Sequence, residues 1–444
     1  MLAPDMDHDT LSQLRAGRLA GARRLDLSCG LTEFPPEIYD LADSLEILNL
    51  SGNRLDHLPD DLPRLHRLRV IFCSDNLFTA LPEVLGACPR LETIGFKANR
   101  ISHVPARALP GGLRWLILTD NAVTELPEAL GQRPRLQKLM LAGNRLDRLP
   151  DSLAASSALE LIRIAANRFA ALPPWLGSLP RLAWVGQSGN PCIRAAGASG
   201  AITAAPPIDI QWNALALQQT LGEGASGVIY RALQRKDGRQ APVAVKVFKG
   251  AVTSDGLPQD EMAACMAAGQ QPHLIGATGR VVGHPDGRQA LVMPLVDPAF
   301  SVLAGPPSLD SCTRDIYAET VRFSAPTALR LVSGIASAAS HLHATGLLHG
   351  DLYAHNILWE PSGAALLGDF GAASFIGDNA EAQSLRRVES RAFGCLVEEV
   401  LQRCEGTDSG TVTETLSKWR DLCLDERPAY RPLIADVHAA LQKI

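Results

Sequence analysis

The residues His349-Gly350-Asp351-Leu352-Tyr353-Ala354-His355-Asn356, followed by Asp369-Phe370-Gly371, have the types and spacing that phosphoryl transfer requires. An Asp beside an attacking hydroxyl can orient it and accept its proton. An Asn five residues on and a second Asp offer oxygen ligands that hold magnesium against the phosphates of a nucleotide. Either half alone is a modest signal, since an isolated Asp-Phe-Gly is ordinarily a turn. In this order and at this separation the two reinforce each other.

Those groups need elements to position them. Gly222-Glu223-Gly224-Ala225-Ser226-Gly227-Val228-Ile229 is a glycine-rich run with strand formers on both sides, Leu221 before it and Ile229-Tyr230 after. It predicts a hairpin whose bare backbone N–H groups can approach an anion. Val243-Ala244-Val245-Lys246 predicts an apolar strand ending in a cation. A Lys in that position is ordinarily a solvated charge. Four such motifs in one order make coincidence a poor explanation.

On these motifs the stretch from roughly 215 to 444 resembles the eukaryotic-type protein kinase family. The resemblance implies a two-lobed α+β kinase fold, over 211–444, with ATP and Mg2+ as cofactors. It implies Lys246 as the phosphate-anchoring lysine, Asp351 as the catalytic Asp, and Asn356 and Asp369 as the metal ligands. The partner of Lys246 is expected in Asp260-Glu261-Met262, as Glu261. Gly222, Glu223, Gly224, Ala225, Ser226, Gly227 and Ile229 would cover the nucleotide. Leu291-Val292-Met293-Pro294-Leu295 resembles the strand entering the hinge, with Met293 as gatekeeper and Leu295 beside it. Ala244 and Leu358 would pack on the two faces of adenine. His349 is expected to pack against Phe370, and Arg431 matches a late arginine of the family.

The chain also departs from that pattern. Gly350 stands where many kinases have an Arg that meets a phosphate on the activation loop, so control by loop phosphorylation is not expected. Tyr353 replaces the Lys of serine/threonine kinases. His355 sits where tyrosine kinases place a basic residue and offers a pH-sensitive substitute. Glu389 replaces the Asp of D-x-W-x-x-G, no A-P-E precedes it, and the interval from Gly394 to Arg431 is contracted. Nucleotide chemistry reads as intact and the peptide platform as reduced. The expected activity is a protein kinase with a serine/threonine acceptor. The alternatives are a nucleotide-binding scaffold and a small-molecule kinase.

The first half is a repeat. Leu45, Leu68, Leu91, Leu113, Leu136, Leu159 and Leu182 recur at intervals of 22 or 23 residues, each opening L-x-x-L-x-L-x-x-N-x-L-x-x-L-P with small variations. One unit cannot bury its own leucines, so neighbours must stack, with the L-x-L portions as short parallel strands. The recurring Asn is suited to bond turn backbone. The run resembles the leucine-rich repeat family in its 23-residue form, an α/β solenoid (horseshoe), over 22–194. Residues 1–21, with Leu11, Leu14 and Leu19 at helical spacing, would cap it, and 195–210 would be a linker.

Strand residues pointing away from the leucine core include Phe72, Trp115, Ile117, Lys138, Met140, Arg163 and Trp184. Apolar residues mixed with Lys and Arg predict a protein-binding concave face, centred on Phe72, Trp115, Ile117, Met140 and Trp184. The kinase stretch itself is one candidate partner, which raises the expectation that the repeats mask it.

A net charge of −5 gives no argument for nucleic-acid binding. The nine cysteines are scattered without metal-ligand spacing, as in a reducing compartment. The first residues carry no basic-plus-apolar signal, and the Gly/Pro-rich 195–208 stretch is too short for a membrane span. Together these predict a soluble cytoplasmic protein. Its Ala-rich style suggests a bacterial source.

Overall fold

The computed structural model describes residues 5–194, 208–224, 226–249, 252–253, 255–405 and 410–444. It divides into two compact units. One comprises Met1–Ile162 and Asn167–Leu179, the other Arg163–Ala166 and Pro180–Ile444.

Each repeat contributes a three-residue strand: β1 (Arg24–Asp26), β2 (Ile47–Asn49), β3 (Val70–Phe72), β4 (Thr93–Gly95), β5 (Trp115–Ile117), β6 (Lys138–Met140), β7 (Leu161–Arg163) and β8 (Trp184–Gly186). They pair in chain order in one sheet. The register is parallel, matching Arg24 with Ile47, Val70, Thr93, Trp115 and Lys138 in turn. The central residue of each strand, such as Leu48, Ile71, Ile94 and Leu116, is fully buried. Returning chain makes short 3-10 turns such as Glu83–Ala87 and Glu128–Gln132, each entered from an extended proline, Pro82 and Pro127.

The recurring Asn holds the turns. Asn144 Nδ2 donates to the carbonyls of Leu118 and Leu141 at 2.8 and 3.0 Å, and its Oδ1 accepts from Val123 N at 3.0 Å. Asn53 does the same with Leu27, Leu50 and Leu31. The residue before each Asn is left-handed: Gly52, Asp75, Ala98, Asp120, Gly143, Ala166 and Gly189, with φ between 52° and 76°. That conformation turns the backbone so that the Asn side chain can reach both layers. At the start, helix α1 (Asp5–Arg15) ends before Leu19, earlier than the leucine spacing implied, and Gly17 follows at φ 67°.

In the second unit, alternating valines form a sheet. The order is β10 (Leu215–Glu223), β11 (Gly227–Lys236), β12 (Arg239–Phe248), β14 (Ala290–Pro294), β13 (Gly279–Val282) and β9 (Asp209–Gln211). Val243, Val245 and Val247 point into its core against Val281 and Val292. Helix α2 (Pro258–Ala267) follows the sheet's long hairpins. The larger lobe is built on α3 (Ala325–Ala344), whose Ser324 caps Thr327 N and whose Leu331, Ile335 and Leu342 are buried. Around it lie α4 (Ala380–Leu401), α5 (Gly410–Cys423) and α6 (Ile434–Leu441). Short strands carry the motifs: β16 (Leu347–Leu348) pairs with β19 (Ser374–Phe375), and β17 (Ile357–Trp359) with β18 (Ala365–Leu367). The architecture is therefore a leucine-rich repeat solenoid followed by a two-lobed α+β kinase fold.

Two boundaries differ from the expectation. Of the 195–210 linker, 195–207 lie outside the described residues, but Asp209 and Ile210 are strand β9 of the kinase sheet. The compact-unit boundary falls inside the repeats, because Arg163–Ala166 and Pro180–Arg194 join the kinase fold. Among the described residues no helix is long and apolar enough to cross a membrane.

Candidate active site

The strand expected to end at Lys246 continues to Phe248, so the lysine is held within the sheet. Lys246 lies on β12, paired across to Ile229 of β11 and Leu291 of β14. Its Nζ donates to Glu261 Oε1 of α2, and Asp369 Oδ1 lies 3.7 Å away. Both members of the pair are buried. Burial works against the charged Lys246, but Asp369 and Glu261 outweigh it and raise its pKa. Burial pushes Glu261 up to about 7, with Lys246 opposing.

Asp351 and Asn356 flank the short turn between β16 and β17. Asn356 Nδ2 donates to the Asp351 carbonyl at 2.9 Å and to Asp351 Oδ2 at 2.8 Å. That leaves the Asn356 carbonyl oxygen available as a ligand. Asp369 adopts φ 53°, a left-handed conformation, and its side chain is 49% exposed. Burial of its surroundings favours the neutral form, but Lys246 and the Gly371 N–H, at 3.1 Å, hold its pKa below the usual carboxylate range. Phe370 is buried and its ring stands 5.6 Å from that of His349, whose Nε2 bonds the Gly368 carbonyl at 2.8 Å.

This set fits magnesium and a nucleotide triphosphate. An ionised, outward-facing carboxylate and an amide oxygen are hard donors, and magnesium takes few protein ligands beside phosphate oxygens. Lys246 is a cation fixed by Glu261, of the kind that phosphate accepts. Above it, Gly222 pairs with Ile229, and Gly224 N bonds the Gly227 carbonyl at 2.9 Å. A Cβ on Gly227 would meet the Val247 carbonyl at 2.6 Å, so the hairpin needs glycine there, while Gly222 and Gly224 face open space. Glu223 is drawn aside to Lys249, Ser226 accepts Lys249 N through its carbonyl, and Ala225 lies outside the described residues. Ala244 pairs with Met293, both buried. Leu295 follows β14, and Leu358 of β17 pairs with Val302.

The family model of protein tyrosine and serine/threonine kinases matches residues 215–409, and that of the leucine-rich repeat matches 44–65. The chain carries a protein kinase domain and a leucine-rich repeat. It is 32% identical over 174 residues to CBL-interacting protein kinase 22 of Oryza sativa, covering 36% of each chain. It is 30% identical over 165 residues to serine/threonine-protein kinase PknH of Mycobacterium bovis, covering 36% of this chain and 25% of that one. Serine/threonine-protein kinase mos of Xenopus laevis is 25% identical over 178 residues, covering 39% and 45%. The chain thus spans less than half the length of these relatives.

The kinase domain's departures have structural reasons. Tyr353 is buried flat on Trp184, ring centroids 4.1 Å apart and 7° from parallel, and Trp184 Nε1 donates to the Leu352 carbonyl at 3.1 Å. Trp184 is 2% exposed, so this member of the expected partner surface is not available to a partner. Phe72, Trp115, Ile117 and Met140 remain half-buried. His355 is held by Asp315, with Nδ1 2.8 Å from Oδ1 and its backbone N 2.9 Å from Oδ2. Burial disfavours its charged form, yet Asp315 raises its pKa. Gly350 has φ 73°, and a Cβ there would lie 2.6 Å from the carbonyls of both Ala372 and Val185. Glu389 accepts Gly350 N at 2.6 Å and His343 Nε2 at 2.7 Å. Arg431 is buried on backbone oxygens, including those of Asp425 and Pro180, and burial pushes it down to about 10.

Sequence reasoning missed Asp255 and Asp315, neither of which belongs to a motif. It placed Arg163 only on a binding face. Nothing local to these residues marks them; their roles come from what the fold brings against them.

Proposed function

We propose that the chain is an ATP-dependent protein kinase acting on serine or threonine hydroxyls, with the repeats choosing or holding its partner. The observation that carries this is the joint placement of Lys246 on Glu261 and beside Asp369, with Asp351 fixed by Asn356. A pure scaffold has no chemical use for all of these. Lys246 would bind and orient phosphate, steadied by Glu261. Asp351 would orient the acceptor hydroxyl and take its proton. Asp369 and Asn356 would hold magnesium, and magnesium-ATP supplies both the phosphoryl group and the charge that screens it.

His355, as the imidazole nearest the transfer site along the loop, is proposed as an accessory cation. Ile229, Ala244, Met293, Leu295 and Leu358 are proposed to enclose the adenine. The half-buried apolar strand residues Phe72, Trp115, Ile117 and Met140 are proposed to bind a protein partner, since aromatic and apolar residues in line suit such a surface. A cytoplasmic, bacterial setting fits the free thiols and the composition.

A second reading, a nucleotide-binding scaffold, is favoured by one observation: α4 starts at Ala380, leaving a very short segment after Asp369. Phosphate transfer from γ-labelled ATP separates the two, using the full chain beside Asp369→Ala, with modified sites mapped by mass spectrometry. Label in the wild type alone, on serine or threonine, is the expected result. Label in neither, with ATP still bound, would leave the scaffold. Rapid transfer to small acceptors such as aminoglycosides would leave a small-molecule kinase.

A further inference from the structure

Arg163 closes strand β7 of the repeats, yet it belongs to the same compact unit as the kinase fold. Its side chain is 2% exposed. Its Nε donates to Asp255 Oδ1 at 2.7 Å, its Nη1 to the Gly350 carbonyl at 3.1 Å, and its Nη2 to Asp351 Oδ1. Asp351 Oδ2 takes the amide of Asn356. The carboxylate at the centre of the site is therefore gripped on both oxygens, once by its own loop and once by a repeat residue. Burial opposes the charge on Arg163, but Asp351 and Asp255 outweigh it and hold the guanidinium firmly protonated.

We propose that Arg163 is a positioning residue for Asp351, so that a residue outside the kinase motifs but within the same compact unit completes the phosphotransfer site. This rests on the kinase reading above. The loop from Leu352 to His355 offers no Lys or Arg of its own. Tyr353 is turned onto Trp184, and His355 is engaged by Asp315. The cation that reaches Asp351 comes instead from β7.

The same contact could act as a stopper, but three observations favour a working part. A carboxylate has about four acceptor positions, so two remain for a hydroxyl. The Asp351 side chain keeps 17% exposure for one. Withdrawing Arg163 would leave two part-buried carboxylates, Asp255 and Asp351, side by side without the cation between them, which is unfavourable. The backbone around the contact is also cut to fit it. A Cβ on Gly186 would lie 2.6 Å from Arg163 Cδ, and one on Gly256 would lie 2.7 Å from Ser188 Oγ and 3.2 Å from Ala165 Cβ. Glycines at both positions let the backbone pack closely around the contact.

The test uses the full chain with γ-labelled ATP and dephosphorylated casein, comparing wild type, Arg163→Ala, Arg163→Lys and Asp255→Asn. Arg163→Ala should lower kcat on the order of 10²-fold, the cost of a misplaced reacting group. The Kd for magnesium-ATP should change by less than about twofold, because Lys246 and Asp369 are untouched. Arg163→Lys should recover part of the rate, and Asp255→Asn should lose part of it. A crystal structure of Arg163→Ala should show the Asp351 carboxylate rotated off Asn356. A rate equal to or above wild type in Arg163→Ala would overturn the proposal in favour of a stopper. Should that variant not fold, a full rate in Asp255→Asn would overturn it equally. If the wild type transfers no phosphate, the kinase reading fails. The inference then stands or falls on whether Asp351 moves.

Discussion

Trp184, from the closing repeat, lies flat on Tyr353, two residues after Asp351 in the catalytic loop. The pair fills the space that a charged side chain at position 353 would need. It explains why the loop can carry a tyrosine there: the ring is a packing surface, and its hydroxyl is buried without a partner.

Removing the indole should therefore be expensive. Trp184→Ala is expected to destabilise the protein by about 3–5 kcal/mol. Tyr353→Phe, by contrast, should be neutral or stabilising, since it deletes an unsatisfied hydroxyl. Guanidinium denaturation of the three proteins checks both. A Phe variant weaker by more than about 1 kcal/mol would mean the hydroxyl is bonded after all.

Gly350 gives a second expectation. Its left-handed backbone and the two carbonyls facing its missing Cβ leave no room for a side chain. Gly350→Ala should cost about 2–4 kcal/mol, the sum of backbone strain and overpacking. An unchanged denaturation midpoint would show that the loop can move away from Val185 and Ala372.

The Lys246–Glu261 pair predicts a pH dependence. Burial raises Glu261 to about 7, above its ordinary 4.5. A raised folded-state pKa means that the folded protein binds the proton more tightly than the unfolded chain does. The resulting stability is fully present below about 4.5 and is lost as pH rises through about 7. Glu261→Gln cannot titrate, so the fall in stability over that window should flatten. Denaturation free energies measured from pH 4.5 to 8 decide it, and an identical slope in both proteins would assign the titration to another group.

In the repeats, the Asn side chains are the expected weak points. Asn144→Ala would strand the Leu118 and Leu141 carbonyls and the Val123 N–H in a dry interior. The cost should be about 2–3 kcal/mol. Substituting the exposed Arg148 to Ala on the same repeat provides the control, with no change expected in the melting midpoint.

Much of this protein was legible from its residues alone. Period and spacing require the stacked strands, because one repeat cannot bury its leucines. The glycine run, Lys246, Asp351, Asn356 and Asp369 announce their chemistry because few other residue types can perform it. Glu261 is expected only through the kinase resemblance, which implies a carboxylate partner for Lys246 in the Asp260-Glu261-Met262 stretch. What only the tertiary structure decided is which residues stand against the catalytic loop within its own compact unit. Arg163 and Trp184 look like two more strand residues on an open face. Gly350 and Tyr353 look like losses from a catalytic loop. Each depends on a partner between 168 and 188 residues away. Sequence periodicity reports which face of an element a residue occupies, but not what the folded chain brings against that face.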